Sequence, residues 1–183
     1  MTTETKAAVS TWTIDNAHSL AEFSVKHMMI ATVKGRFGSM EGTLHIDEAR
    51  PERSWVEATI DVGSIDTREP NRDAHLKSDD FFNAERFPKI TFRSTRVEKV
   101  DDERWKVVGD LTIRDVTKEV ALDTTFLGQV TDAWGKQRAA FEARTELNRR
   151  EFGLKWNAPI ETGGVVVGDR VKVELEISAV RAD

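Results

Sequence analysis

The sequence predicts an all-β fold, in which eight antiparallel strands close into a barrel that carries a short helical insertion. Most of the chain alternates apolar and polar residues with period two, as strands with one buried face do. These segments are about ten residues long, which favours a barrel over a two-sheet sandwich, the alternative architecture. One segment, residues 69–87, breaks the alternation and carries signals of helix formation.

Strand segments recur along most of the chain. In the clearest one, polar residues alternate with the apolar residues Trp105, Val107, Gly109, Leu111 and Ile113. Besides 105–113, strands are predicted near residues 21–27, 35–46, 54–62, 89–99, 118–130, 137–147 and 171–177. Eight strands can form a barrel whose interior is either filled with side chains or holds one small ligand.

Two segments depart from the strand pattern. In the insertion, Pro70 suits the start of one helix, Asp79 can cap a second, and Pro88 returns the chain to a strand. Residues 151–169 contain four glycines and predict a long loop or lid before the last strand.

Aromatic residues are frequent in both segments and predict a hydrophobic gate at the barrel mouth, where their apolar surface can be buried. They are Phe81, Phe82, Phe87, Phe152 and Trp156. Neighbouring residues on a helix point about 100 degrees apart. We therefore expect one of Phe81 and Phe82 to anchor the insertion and the other to face a ligand.

Length and composition indicate one domain and restrict the function classes. The chain has 183 residues, and we assign residues 1–11 to a flexible N-terminal segment and 12–183 to a single domain. It has 27 basic and 32 acidic residues, so it lacks the basic excess that attracts nucleic acid. It has no cysteine, which excludes disulfides, thiolate metal sites and cysteine nucleophiles.

Residues 1–10 do not combine a basic start with an apolar run, as a secretory signal does, so we predict a cytoplasmic protein. No stretch approaches the roughly 18 apolar residues of a spanning helix, and we expect no stable membrane insertion. The sequence is compatible with a monomer and with a homodimer.

No metal site and no cofactor are predicted. The chain has four histidines, without the spacing of a metal-binding motif, at His18, His27, His45 and His75. We therefore expect that zinc or a chelator leaves thermal stability unchanged.

No catalytic residues are assigned, because the chain has neither a GxSxG elbow nor a phosphate-binding glycine loop. A hydrolase or isomerase that uses Asp73, His75 or His27 stays open as an alternative. Asp73 and His75 point in different directions on a helix, which favours capping and anchoring roles. His27 shares a strand face with Phe23 and Val25, so it is either a polar anchor for a ligand or an ordinary hydrogen-bonded histidine.

Several motifs in a fixed order resemble the YceI-like family of lipocalin-like, polyisoprenoid-binding bacterial proteins. They are WTID at 12–15 with His18–Ser19, FSVKHM at 23–28, VKGRFG at 33–38 leading to Gly42, NRDAHLKSDDFFNAERFPKITF at 71–92, VVGDLTIRDVTKEV at 107–120, NRREFGL at 148–154 and GDRVKVELEI at 168–177. The resemblance covers nearly the whole chain from Trp12.

The resemblance implies a barrel that carries a long isoprenoid, such as a prenyl quinone or prenyl phosphate, and performs no chemistry on it. The side chains expected to line the interior are apolar except for that of His27. They are Phe23, Val25, His27, Phe37, Leu44, Phe81, Phe82, Ile90, Phe92, Leu111, Ile113, Phe126, Phe141, Leu147, Trp156, Val173, Leu175 and Ile177. As motif positions, the head-group candidates are Arg72, Asp73, His75, Arg149 and Arg150.

Three alternatives stay open at this point. A fatty acid or fatty amide would suit the same interior, since an apolar tunnel distinguishes length and width more than chemistry. An enzyme could act on a prenyl ester or diphosphate, and a filled barrel could serve as an interaction scaffold.

Overall fold

The computed structural model describes residues 9–160 and 163–182, which form one eleven-stranded sheet and one α-helix. The strands are β1 (Val9–Ile14), β2 (Leu20–His27), β3 (Ala31–Phe37), β4 (Met40–Asp47), β5 (Trp55–Asp61), β6 (Ile65–Asp66), β7 (Lys89–Lys99), β8 (Arg104–Ile113), β9 (Val116–Thr131), β10 (Gln137–Asn148) and β11 (Val167–Arg181). The helix α1 spans Pro70–Lys77, and short 3₁₀ turns cover Asn16–His18, Pro51–Arg53, Val62–Ser64 and Arg149–Phe152.

Eight strands close into a barrel, as the sequence predicts. They follow the order β1-β4-β5-β7-β8-β9-β10-β11, with antiparallel pairing between neighbours, and β11 returns to pair with β1. At the closure, Trp12 of β1 lies opposite Arg181 on one side and Leu44 on the other. The closed sheet leaves no free edge in the ring.

The hairpin of β2 and β3 extends the barrel wall beyond β1. Residues 167–176 of β11 pair with β2, and residues 177–181 lie beside or pair with β1. β3 continues from β2, and its last two residues, Arg36 and Phe37, pair with β6. One long strand, β11, therefore joins the ring and the hairpin.

The predicted strand at 35–46 is wrong, because two strands, β3 and β4, occupy that segment. Phe37 and Met40 both contribute to the interior core, although residues three apart on one regular strand face opposite sides. The chain therefore turns between them at Gly38 and Ser39. Predictions for β5, β7, β8, β9 and β10 are confirmed within a few residues.

The short strands β1 and β6 were not predicted. β1 begins at Val9, inside the segment that the sequence assigns to a flexible N-terminus, and Val9 pairs with Asp47. Residues 1–8 lie outside the described residues.

The first predicted helix of the insertion is confirmed and the second is wrong. Pro70 opens α1, and the Glu69 carboxylate accepts from the Arg72 backbone N–H. After α1, residues 79–86 form successive turns without a helix. Asn83 has a left-handed backbone with φ of 48°, which a continuing helix does not tolerate.

Three buried clusters lie along the barrel, and the one in the middle contains Ile14, Ala21 and Met40. At one end the Trp12 indole packs against Ala139 and Ala179, whose small side chains leave room for it. At the other end the insertion and the loop after β10 contribute to a larger cluster, whose buried members are Val62, Phe81, Ile90, Ile113, Phe152 and Leu154.

Candidate functional site

The strand register places a continuous apolar surface inside the barrel. Val173 of β11 lies opposite Thr145 of β10 and Phe23 of β2, and directly paired residues share one face of a sheet. The same rule places Phe141 between Phe126 and Ile177. The alternation along β11 thus continues across four strands.

This inner surface is only partly buried. Phe23, Val25, Phe141, Val173 and Leu175 face the interior by register, yet all are partly accessible to solvent. Close-packed protein cores have few voids larger than a water molecule, so their inward side chains have no such access. The inner surface is therefore not fully packed at these five positions.

The predicted lining residues divide into three groups. Eight belong to the cluster at the helical end, namely Phe37, Phe81, Phe82, Ile90, Leu111, Ile113, Leu147 and Trp156. Five belong to the clusters in the middle and at the Trp12 end, namely Leu44, Phe126, Phe141, Leu175 and Ile177. The remaining five, Phe23, Val25, His27, Phe92 and Val173, lie outside these clusters.

His27 lies at the last paired position of β2, opposite Ala31 and Val167. It is partly exposed, and among the described residues its imidazole has no hydrogen-bond partner. Of the two interpretations of His27, this geometry favours a polar group that is available to a ligand.

Arg72 and Asp73 both contact Thr67, which is 3% exposed. Asp73 accepts from the Thr67 backbone N–H at 2.9 Å and from its hydroxyl at 2.5 Å. Arg72 donates to the Thr67 hydroxyl at 2.8 Å and to its carbonyl at 2.7 Å. These bonds fasten α1 to β6, in agreement with the anchoring role inferred for Asp73.

His75 connects α1 with both aromatic segments. Its Nε2 lies 2.8 Å from the Asp80 carboxylate, and its ring meets those of Phe81 and Trp156 edge-on at 5.1 and 4.8 Å. The side chain therefore packs the insertion against the loop after β10.

Arg149 holds the long loop before β11 through four backbone carbonyls. The buried guanidinium donates to those of Gly168, Leu154, Trp156 and Val167 at 2.7 to 3.2 Å. Burial lowers the pKa of Arg149, but an arginine stays cationic at neutral pH. Its neighbour Arg150 is about half exposed, 3.8 Å from the Asp169 carboxylate.

Arg114 also organises this end, and the sequence did not single it out. It donates to the Asp79 and Phe81 carbonyls at 2.8 and 2.9 Å and to the Asp79 carboxylate at 2.9 Å. Arg114 has a left-handed backbone in the tight turn between β8 and β9, with φ of 55°. The sequence signal that could have identified Arg114 is its position in the two-residue turn between β8 and β9.

No cluster of three or more histidine, aspartate or glutamate residues suitable for a metal ion occurs within residues 9–160 and 163–182. In the same part of the chain, no helix is long and apolar enough to cross a membrane.

The fold and the site define a closed antiparallel barrel with a partly exposed apolar inner surface and a helical insertion packed at one end. The sequence model of the YceI-like domain matches residues 12–179. Protein YceI of Escherichia coli O157:H7 is 38% identical over 141 residues, which cover 77% of this chain and 73% of that protein. The chain therefore belongs to the YceI-like family.

Solved structures share the fold. The Campylobacter jejuni YCEI protein has a TM-score of 0.74 at 31% identity, with 86% of this chain and 90% of that chain covered. BcnA of Burkholderia cenocepacia has a TM-score of 0.79 at 22% identity, with 90% and 98% covered. A domain from Saccharophagus degradans, described as polyisoprenoid-binding, has a TM-score of 0.68 at 18% identity, with 97% and 100% covered.

Proposed function

We propose that this protein binds a long isoprenoid lipid, such as a prenyl quinone or prenyl phosphate, inside the barrel, and carries it without chemical change. The observation that carries the proposal is the inner surface at Phe23, Val25, Phe141, Val173 and Leu175, which is apolar, faces inward and is accessible. Membership of the YceI-like family and the polyisoprenoid-binding description of the Saccharophagus degradans domain support it.

The energy available from such a surface is large. Each methylene removed from water contributes about 0.8 kcal/mol, so a tail of roughly 40 carbons gains about 30 kcal/mol before costs. Noncovalent affinities reach a ceiling of about 18 to 21 kcal/mol, so ordering of the lipid and competition from membranes must offset much of this gain. Retention of a lipid therefore needs no catalytic residue.

The geometry favours His27 as the residue that meets a polar head group. It is partly exposed beside the interior row Phe23 and Val25, and its imidazole is unpartnered among the described residues. The other head-group candidates, Arg72, Asp73, His75, Arg149 and Arg150, come from motif positions, and each has protein partners. His27→Ala should weaken a prenyl phosphate more than a prenyl alcohol of the same length.

Occupation of the interior can be tested by filling it. Val173→Trp adds bulk to the inner surface, whereas Lys172→Trp adds the same side chain on the outer face one residue away. We expect delipidated parent and Lys172→Trp to bind a prenyl quinone equally, and Val173→Trp to bind it at least roughly tenfold more weakly. Equal binding by both variants would overturn the proposal, and preferential binding of a fatty acid would favour the fatty acid carrier.

The absence of catalysis, the cytoplasmic location and the oligomeric state stay predictions. Incubation of the parent with a prenyl diphosphate or a prenyl ester should yield no product. A product that the parent forms and His75→Ala does not would show enzyme activity instead. Cell fractionation and analytical ultracentrifugation of the full-length chain would test the other two.

A further inference from the structure

The turn between β2 and β3 exposes three consecutive apolar residues. Met28, Met29 and Ile30 are 46%, 62% and 86% exposed. The Met29 sulfur lies against Gly164 in the loop before β11, and that loop adds Val165, which is 39% exposed. Single exposed apolar residues are ordinary on protein surfaces, whereas a contiguous group marks an interaction site.

The backbone of this turn is unfavourable for its residues. Met28 and Met29 are both left-handed, with φ of 50° and 67°, and the Ile30 N–H donates to the His27 carbonyl. The loop between the paired residues His27 and Ala31 has three residues, and its first two have the left-handed backbone that Gly and Asn adopt most readily. Two methionines carry a steric cost that Asn-Gly avoids, which indicates that their side chains serve a purpose other than folding.

Three exposed lysines surround the base of the turn on the outer face of the hairpin and β11. They are Lys26, Lys34 and Lys172, on adjacent strands. Lys26 donates to Thr32, while Lys34 and Lys172 have no ion pair or hydrogen bond within the described residues. This local positive charge contrasts with the formal net charge of −5 of the whole chain.

Within residues 9–160 and 163–182, the acidic side chains nearest the start of β11 have arginine partners of their own. Glu146 lies 3.2 Å from Arg170, and Asp169 lies 3.8 Å from Arg149 and from Arg150. On the outer face, Glu22 and Glu174 lie opposite each other on β2 and β11, farther from the turn.

We infer that this end of the hairpin docks on an anionic lipid bilayer. The apolar tip, which consists of Met28, Met29, Ile30 and Val165, enters the headgroup region, and the three lysines contact anionic lipids. Apolar side chains at headgroup depth combined with basic residues at the surface are the chemistry of peripheral membrane binding. Docking would bring His27 and the barrel interior to the membrane, where a lipid can be exchanged. This role of docking rests on the proposed function.

The test uses a variant that removes the apolar tip and improves the turn. Met28→Asn with Met29→Gly places residues that tolerate a left-handed backbone at these two positions, so the protein should fold at least as stably as the parent. We expect its binding to vesicles of phosphatidylcholine with about one third phosphatidylglycerol to fall by roughly tenfold or more. Trp134→Ala is the matched control, because Trp134 is 83% exposed in the hairpin turn at the opposite end of β10, and it should bind like the parent.

The lysines are tested separately. Replacement of Lys26, Lys34 and Lys172 by glutamine should weaken binding to the phosphatidylglycerol vesicles and should remove most of its salt dependence. The matched control replaces the exposed lysines Lys89, Lys106 and Lys118 of β7, β8 and β9, and leaves binding unchanged.

Absence of vesicle binding by the parent would overturn the docking inference, as would equal binding by parent and turn variant. Dimerisation that disappears with Met28→Asn and Met29→Gly, without vesicle binding, would assign the tip to contact between copies of the chain. Retention of a prenyl quinone by delipidated protein is measured separately without vesicles. Its failure would overturn the proposed function and leave the docking result intact.

Discussion

The ring of Phe82 meets the ring of Phe37 edge-on, with centroids 5.9 Å apart and an interplanar angle of 86°. Phe37 in turn contacts Phe23 at 5.6 Å, so an aromatic row leads from the insertion to the interior surface. Phe81 is 5% exposed and packs instead against Trp156, at 5.6 Å between ring centroids. The two neighbouring phenylalanines thus have different ring partners, and an anchoring role for one and a ligand-facing role for the other stay predictions.

Phe81→Ala and Phe82→Ala should differ in kind. Phe81→Ala should cost about 3 to 5 kcal/mol, the usual range for a buried phenylalanine. Phe82→Ala should cost less and should hasten lipid loss, because it opens the row beside Phe37. Urea unfolding of delipidated protein and transfer of a fluorescent prenyl analogue to vesicles measure the two effects. If both variants behave like the parent in both assays, the insertion is not the gate.

Gly35 leaves the space that the Phe23 ring occupies. A Cβ at Gly35 would overlap this ring and the Thr67 methyl group. Gly35→Ala should therefore displace Phe23, cost about 1 to 3 kcal/mol and change lipid affinity. Gly38→Ala is the control, because the nearest atom to its Cβ, the Ser64 carbonyl oxygen, is 3.9 Å away. Equal stability of the two variants would mean that Phe23 repacks without cost.

Arg149 should be essential for the loop before β11. Arg149→Met leaves the carbonyls of Gly168, Leu154 and Trp156 without their side-chain donor, whereas the Val167 carbonyl keeps the Asn157 amide, and we expect a loss of about 3 kcal/mol or more in the free energy of unfolding. Arg150→Met, next in the chain and about half exposed, should stay within about 0.5 kcal/mol of the parent. Denaturant melts of both variants decide the matter, and similar losses would contradict the assigned role.

An ion cluster at the Trp12 end should make stability depend on pH. Arg138 donates to the Asp15 and Asp132 carboxylates, each at 2.8 Å. The bond from Arg138, with a further contribution from His18, lowers the pKa of Asp15, and the bond from Arg138 lowers the pKa of Asp132. A carboxyl whose pKa is lower in the folded state contributes stability above its unfolded pKa of about 3.9, and this stability is lost as the pH falls through the folded pKa.

Arg138→Met should accordingly be less stable than the parent at pH 7, and the difference should shrink as the pH falls below about 4. Arg144→Met provides the control, since Arg144 pairs with Glu142 on the exposed outer face, where such pairs contribute little. Thermal melts across this pH range measure the difference. If the difference in melting temperature between the parent and Arg138→Met stays the same below about pH 4, these ion pairs are not the source of the stability.

The sequence predicts the regular strands well, because period-two alternation directly reflects a wall with one apolar face. β7 spans the predicted residues 89–99. The strand predictions fail where the alternation changes phase or where a strand is too short to show a period. The change of phase between Phe37 and Met40 was the available signal for a turn, and the two residues of β6 are too few to show a period.

The inner surface was predictable for the same reason, whereas the polar contacts at the helical end were not. Thr67 forms hydrogen bonds with Arg72 and Asp73 only because β6 lies beside α1. Arg149 reaches its carbonyl partners only after residues 154–156 and 167–168 fold around it. Such contacts depend on tertiary structure, and neither residue spacing nor residue type specifies the partners.

The central claim is that the barrel interior holds an isoprenoid lipid. Native mass spectrometry of the intact protein, purified without detergent, followed by analysis of its organic extract, tests this claim most directly. We predict one bound lipid per chain, drawn from a series whose masses differ by one isoprene unit, with lower occupancy in Val173→Trp than in the parent. Protein without lipid that also fails to take up an added prenyl quinone would contradict the claim, as would an interior occupied only by straight-chain fatty acids.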